Sequence, residues 1–178
     1  PPPPPPPPPL QPPPPPPTPP RCTHRRQRQM CIRDRGIFSF WIHSHLRRRP
    51  LRYIGFGGSG VQVRDALHPR DLIPLLIRQQ RNGSSDRARI CNLGGGLANS
   101  MSLAELTTWC DDRFGPHGID RSTEERAFDL PWAVMDCTRA RDVWGWTPAT
   151  NLEQILEEIA KHAEDHEDWL EISIGGLA

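Results

Sequence analysis

The chain has no C-x-x-C pair, and its five cysteines, Cys22, Cys31, Cys91, Cys110 and Cys137, are odd in number and widely spaced. That excludes a zinc ribbon and a disulfide framework, and a reducing, cytoplasmic setting is expected. No apolar run is long enough for a signal-peptide core or a membrane span, so no membrane partner is expected. The first residue is proline and not methionine, and the chain reads as a fragment of a soluble protein. Acids are almost missing from residues 1–60, where ten arginines face the single Asp34, whereas residues 151–178 carry eight acids against Lys161. The formal net charge of +1 therefore averages two opposite ends.

Core-forming residues are equally scarce at the start. Eighteen of the first twenty residues are proline or threonine, interrupted only by Leu10 and Gln11. Proline fixes φ and removes a donor, so this tract predicts a disordered, proline-rich tail with the extended polyproline II rise of about 3.1 Å per residue. Such rods dock in the aromatic grooves of SH3- or WW-like partners. Residues 21–35 mix six arginines with two cysteines and show no apolar periodicity, so nothing drives them to fold. The string QMCIRDR within them also resembles translated library adapter sequence, which would make the leader 1–35 artefactual.

Beyond Gly36 the pattern changes. IFSFWIHSHL (37–46), followed by three arginines and Pro50, predicts a helix ended by proline. LRYIGFGGSGVQVRD predicts a short strand, a glycine turn and a second extended run, because Val61 and Val63 alternate with Gln62 and Arg64. Asp71 is expected to cap a helix carrying Leu72, Ile73, Leu75, Leu76 and Ile77, with Pro74 in its first turn. RICNLGGG (89–96) predicts a buried strand entering a glycine loop. Ser102 and Glu105 have capping-box spacing ahead of Leu103, Leu106, Cys110 and Phe114, a stripe closed by Gly115. Thr150 and Glu153 have the same spacing ahead of Leu152, Ile155, Leu156, Ile159 and Ala163, and the acidic face of that helix is read as solvated. Strands alternating with helices predict an α/β fold. Too few strands are present for a complete doubly wound sheet, so the helices from Asp71 and Ser102 should each lack part of the surface they pack on.

Gly55-Phe56-Gly57-Gly58-Ser59-Gly60 satisfies G-x-G-x-x-G, but a dinucleotide fingerprint needs a helix to start at the third glycine, and VQVRD continues extended. No cofactor loop is expected there. Gly94-Gly95-Gly96 has Asn99 in place of a further glycine and lacks the lysine of a P-loop, so it reads as a tight turn. His24, His43 and His45 with Cys22 and Cys31 match no regular finger spacing, and no metal site is assigned. His68 and His117 read as structural. The arginines between 21 and 52 could attract nucleic acid, but no aromatics interleave with them, which argues against a nucleic-acid partner.

Three ordered motifs carry a resemblance. PLRYIGFGGSGVQVRDALHPRDL (50–72) contains an R-D-x-x-H-x-x-D-L string made of Arg64, Asp65, His68, Asp71 and Leu72. CNLGGGLANSMSLAEL (91–106) and RAFDLPWAVMDCTRARDVWGWTP (126–148) follow, the last ending in G-W-x-P. Together they resemble the carboxy-terminal part of extended short-chain dehydrogenases of the NAD-dependent epimerase/dehydratase family, and most of all its CDP-paratose and CDP-tyvelose 2-epimerase branch. The resemblance implies that Arg64 and Arg126 hold the diphosphate of a nucleotide-diphosphate sugar, a task for which a charged, planar guanidinium fork is suited. It also implies that Asp129 faces the nucleotide and that Tyr53 and Ile54 lie on the strand beside its base, while Asp65 and His68 buttress the turn presenting Arg64. Without it, Arg64 and Arg126 would be read as ordinary surface ion-pair partners. Where the family often has lysine after Asp136, this chain has Arg139.

The family's NAD fingerprint and its catalytic Tyr-x-x-x-Lys are not found: Tyr53 and Lys161 are the single tyrosine and lysine and stand more than a hundred positions apart. The implied fold is α/β, a partial Rossmann-type structure comprising the substrate-binding half only. The expected organisation is a leader 1–35, the carboxy-terminal part of an epimerase/dehydratase domain at 36–165, and a tail 166–178. The implied function is the nucleotide-sugar clamp of an epimerase, with no catalytic residue, no cofactor on this chain, NAD in the full-length parent and a homodimer open to that parent. The competing reading is a non-catalytic interaction module whose proline-rich arm recruits an SH3- or WW-like partner.

Overall fold

The computed structural model describes residues 36–82, 90–124 and 129–169. Helix α1 (Ile37–Leu46) is closed in by its neighbours, and Trp41, Ile42, His43, Ser44 and His45 along it are all buried. It ends at Leu46, and two of the arginines that follow fasten it to other helices. Arg47 donates to the Ala163 carbonyl at 2.8 Å, and Arg48 donates to the carbonyls of Phe114, Gly115 and Pro116. Carbonyls at a helix end have no partner within the helix, so these contacts satisfy groups that would otherwise need water.

Strand β1 (Leu51–Tyr53) leads through the glycine turn to β2 (Val63–Asp65), and α2 (Leu72–Asn82) follows. Then come β3 (Ser100–Ser102), α3 (Leu103–Phe114), β4 (Ile119–Arg121), β5 (Trp132–Ala133), α4 (Thr138–Trp144) and α5 (Leu152–Asp165). Strands β1 and β4 pair in parallel, with Leu51 opposite Ile119. In the second sheet β2 is central, antiparallel to β3 and parallel to β5. The result is an α/β arrangement of short strands, as expected from the alternation of patterns.

The main core joins α1, β1, α3 and α5 through Trp41, Ile42, Leu51, Tyr53, Leu106, Cys110, Leu156, Ala160 and Ala163. Trp41 stacks on Tyr53 with ring centroids 5.5 Å apart, and both rings donate to the Thr107 hydroxyl. A smaller core under α2 and α4 contains Leu75, Ala140, Trp144 and Trp146. Gly145, at φ 59°, ends α4 in the left-handed conformation that favours glycine. The turn it makes sends the Trp146 indole to the Asp71 carbonyl at 2.7 Å.

The predicted capping box of α3 is present, with Ser102 accepting from the Glu105 amide and Glu105 accepting from the Ser102 amide. Several other expectations are corrected. Asp71 does not cap α2: a 3-10 turn, Pro69–Asp71, precedes that helix, and the Asp71 carboxylate instead accepts from the Ala149 and Thr150 amides and from the Thr150 hydroxyl. With Thr150 so engaged, the cap of α5 falls one residue later, on Asn151 and Gln154. Residues 90–93 form no strand, since none of the described strands pairs with them, and Ile90 is 76% exposed. Of the two helices expected to lack cover, α2 exposes Ile73, Leu76 and Ile77, whereas α3 buries Leu106 and Cys110 against α1 and α5. The acidic face of α5 is partly paired rather than simply solvated, since Arg113 meets Glu157 and Glu164, and His68 meets Glu158.

Candidate functional site

The turn between β1 and β2 is shaped by what lies under it. Gly60 sits so close to Tyr53 that a Cβ there would stand 2.9 Å from the ring, and a Cβ on Gly58 would stand 2.9 Å from the Arg121 side chain. Both glycines also have positive φ. Tyr53 is thus the floor of the turn and is buried. Ile54 is half-buried, and its carbonyl accepts from the Gln62 side chain at 2.7 Å. The turn's own carbonyls close the start of α3, with Leu103 and Ala104 amides donating to Gln62 and Gly60.

Arg64 projects from β2 and donates to the Val63 and Leu130 carbonyls and, at 3.1 Å, to Asp129. These contacts use three of the five guanidinium donors, which leaves donors on Nε and Nη2 without partners among the described residues. The Arg64 side chain is 32% exposed and that of Asp129 is 15% exposed. Asp129 also lies against Gly55, whose hypothetical Cβ would be 3.2 Å from its carboxylate. Gly55 donates to the Glu124 carbonyl at 3.0 Å. Arg126 lies outside the described residues, but Glu124 and Asp129 on either side of its segment both meet Gly55. The structure therefore brings Arg64, Asp129 and the glycine turn together and places Tyr53 beneath them.

Gln62 is the residue the sequence passed over. It lies beside Gly55, and its Oε1 is buried without a partner among the described residues. Its position two residues before Arg64 on an extended run was the available signal, since such residues share one face.

Asp65 and His68 hold neighbouring backbone. The Asp65 carboxylate accepts from the Gly96 and Met135 amides, and His68 accepts from the Arg70 amide. Gly94 and Gly95 are required by packing, because a Cβ on Gly95 would strike the Ala66 carbonyl and stand 2.6 Å from the Asn99 side chain. The amides of Gly55, Gly58 and Gly96 already donate to protein oxygens, and the turn at 55–60 runs into a strand rather than a helix. Among the described residues no group of three or more histidines, cysteines or acids could hold a metal ion, and Cys22, His24 and Cys31 lie outside them. Burial, with Asp111 nearby, pushes the Cys110 thiol up to about 12, which makes it a packing residue and not a nucleophile. No described helix is long and apolar enough to cross a membrane.

In sequence and fold the chain is similar to the carboxy-terminal part of the NAD-dependent epimerases and dehydratases of the extended short-chain dehydrogenase type. It is 31% identical over 108 residues to the CDP-paratose 2-epimerase of Salmonella typhi, an alignment spanning 57% of this chain and 30% of that protein. The UDP-glucuronic acid 4-epimerase of Bacillus cereus, solved with UDP-glucuronic acid and NAD, superposes with a TM-score of 0.61 at 17% identity, over 74% of this chain and 40% of that one. The dTDP-glucose 4,6-dehydratase of Bacillus anthracis, solved with NAD, gives 0.60 at 20% identity, over 79% and 42%. The chain thus spans less than half the length of each of these relatives. No protein-family model matches it.

Proposed function

We propose that this chain supplies the nucleotide-diphosphate-sugar clamp of an NAD-dependent nucleotide-sugar epimerase. The observation that carries the reading is the Arg64–Asp129 pair beside the glycine turn, and the similarity to CDP-paratose 2-epimerase supports it. In this reading the remaining donors of Arg64, with Arg126 from the adjoining segment, take the diphosphate oxygens. Asp129 fixes the orientation of Arg64 and accepts from the nucleoside, Gln62 holds the strand at Ile54, and Tyr53 supports the turn. NAD and the proton-transferring pair belong to the remainder of the parent enzyme, so this chain binds but does not turn over.

Calorimetric titration of the chain with a cytidine or uridine diphosphate sugar tests the reading. Arg64→Met removes a charged fork while keeping most of the apolar stem, and should weaken binding by about 2 kcal/mol, roughly 30-fold. Equal affinity in both proteins, or no binding by either, would remove Arg64 from the site.

A further inference from the structure

Two histidines on α1, two residues apart, are buried in opposite ways. His45 is fully buried but meets a carboxylate, Asp111, at 2.8 Å. His43 is 1% exposed and meets none among the described residues. Its Nε2 faces His162 Nδ1 at 3.4 Å across the contact with α5, its Nδ1 is buried without a partner among the described residues, and its ring stacks on Trp169 at 4.2 Å. His162 in turn stacks on His166 at 4.2 Å with the rings 15° from parallel. Three imidazoles and an indole therefore join α1 to the last turn of α5.

The charged groups around this stack do not neutralise it. From the end of α1 comes Arg47, which adds positive charge and pairs with Glu167 at 3.6 Å. From α5 come His162, His166 and Glu158, but Glu158 is taken by His68 at 3.0 Å. From the end of β2 comes Asp65 and from the turn after it His68; both line the same cleft of about 510 Å³, and Asp65 is engaged by the Gly96 and Met135 amides.

We propose that the α1–α5 contact is a proton-operated latch: charging His43, which faces His162 across that contact and stacks on Trp169, releases Trp169 and the end of α5 from α1. The reason is steric and electrostatic at once. A charged His43 would be sealed beside Arg47 and against His162 Nδ1 at 3.4 Å, with no carboxylate in hydrogen-bonding reach among the described residues. Burial first, then His162, Arg47 and His166, push His43 down to about 4 from an ordinary 6.5. A histidine lowered on docking favours the docked state while neutral. Its contribution is complete above pH 6.5 and is lost as pH falls towards about 4. Release would open the cleft along Phe38, Ile155 and Ile159.

The test is an NMR titration of the full chain from pH 8 to 4, following the His43 ring and the Trp169 indole. The expected result is that His43 titrates near 4 and that Trp169 leaves its docked position over the same range. His43→Phe keeps a ring against Trp169 but cannot be charged, and should abolish the acid release. Should that variant not fold, His166→Gln, at an exposed position, should move the release to lower pH by removing one like charge. Trp169 remaining docked at pH 4, or leaving with an unchanged midpoint in His43→Phe or His166→Gln, would overturn the latch.

Discussion

Asp71 offers a quantitative test of how this half of the molecule is held together. The residue is 7% exposed; Oδ2 accepts from the Ala149 and Thr150 amides at 3.0 Å each, and Oδ1 accepts from the Thr150 hydroxyl at 2.9 Å. Asparagine in its place can keep the two amide bonds by presenting its carbonyl oxygen where Oδ2 was, and the Thr150 hydroxyl can turn to accept from the new amide. What is lost is the charge. Bonds to an ionised acceptor contribute about 1 kcal/mol more than neutral ones, so Asp71→Asn should cost about 2 kcal/mol. Asp71→Ala removes the acceptor altogether. Because Ala149 is exposed and water can reach its amide, that loss should be about 3 kcal/mol and not the larger figure for sealed donors.

The acid limb separates the two causes. Burial tends to raise the Asp71 carboxyl, but the hydrogen bonds from Thr150 and Ala149 hold it below its ordinary 3.8. A group lowered in this way stabilises the fold above its unfolded value, and the contribution disappears as pH falls through the lower, folded value. Urea unfolding followed by tryptophan fluorescence should therefore show wild type and Asp71→Asn differing at pH 7 and converging below about pH 4. Asn and Ala variants of equal stability, or a wild-type advantage that persists unchanged in acid, would refute the hydrogen-bond account.

Two further outcomes follow from packing. Gly95→Ala should destabilise the chain by about 2 kcal/mol in the same urea assay, because its Cβ meets the Ala66 carbonyl and the Asn99 side chain and neither has room to retreat; a change within about 0.5 kcal/mol would count against that close approach. The exposed Ile73, Leu76 and Ile77 of α2 leave about 3 kcal/mol of apolar burial unused. Leu76→Glu should consequently reduce self-association in sedimentation without altering helix content, and an unchanged association constant would show that this face is not the sticky one.

Local patterns were legible where chemistry is local. The apolar stripe Leu152, Ile155, Leu156, Ile159 and Ala163 faces the core, and the Ser102–Glu105 box closes as its spacing requires. The short strand read in LRYI appears at 51–53, whereas the run read from the alternation of Val61 to Arg64 becomes a strand only at 63–65 and leaves Val61 exposed. The misreadings arose where a side chain had a distant competitor. Asp71 has the spacing of a helix cap, yet donors 78 and 79 residues away reach its carboxylate. No window on the sequence contains both partners. Residues 90–93 have strand composition, but a strand exists only against a neighbour, and none of the described strands pairs with them.

The same competition explains how the family motifs divide their work. Within R-D-x-x-H-x-x-D, Asp65 fastens the 94–96 turn and Met135, His68 reaches Glu158, and Asp71 receives Trp146, Ala149 and Thr150 from the segment around G-W-x-P. The aspartates, the histidine and the tryptophan are thus a clasp between two distant stretches of chain. Arg64 departs from this pattern, because its partners Asp129 and Leu130 leave a third of its side chain open to solvent. The clasp fixes the chain beside Arg64, and Arg64 itself keeps two of its five donors out of the fold. That separation of duties is what a clamp for a charged ligand requires, since the energy of the new contact is then not consumed in ordering the residue that makes it.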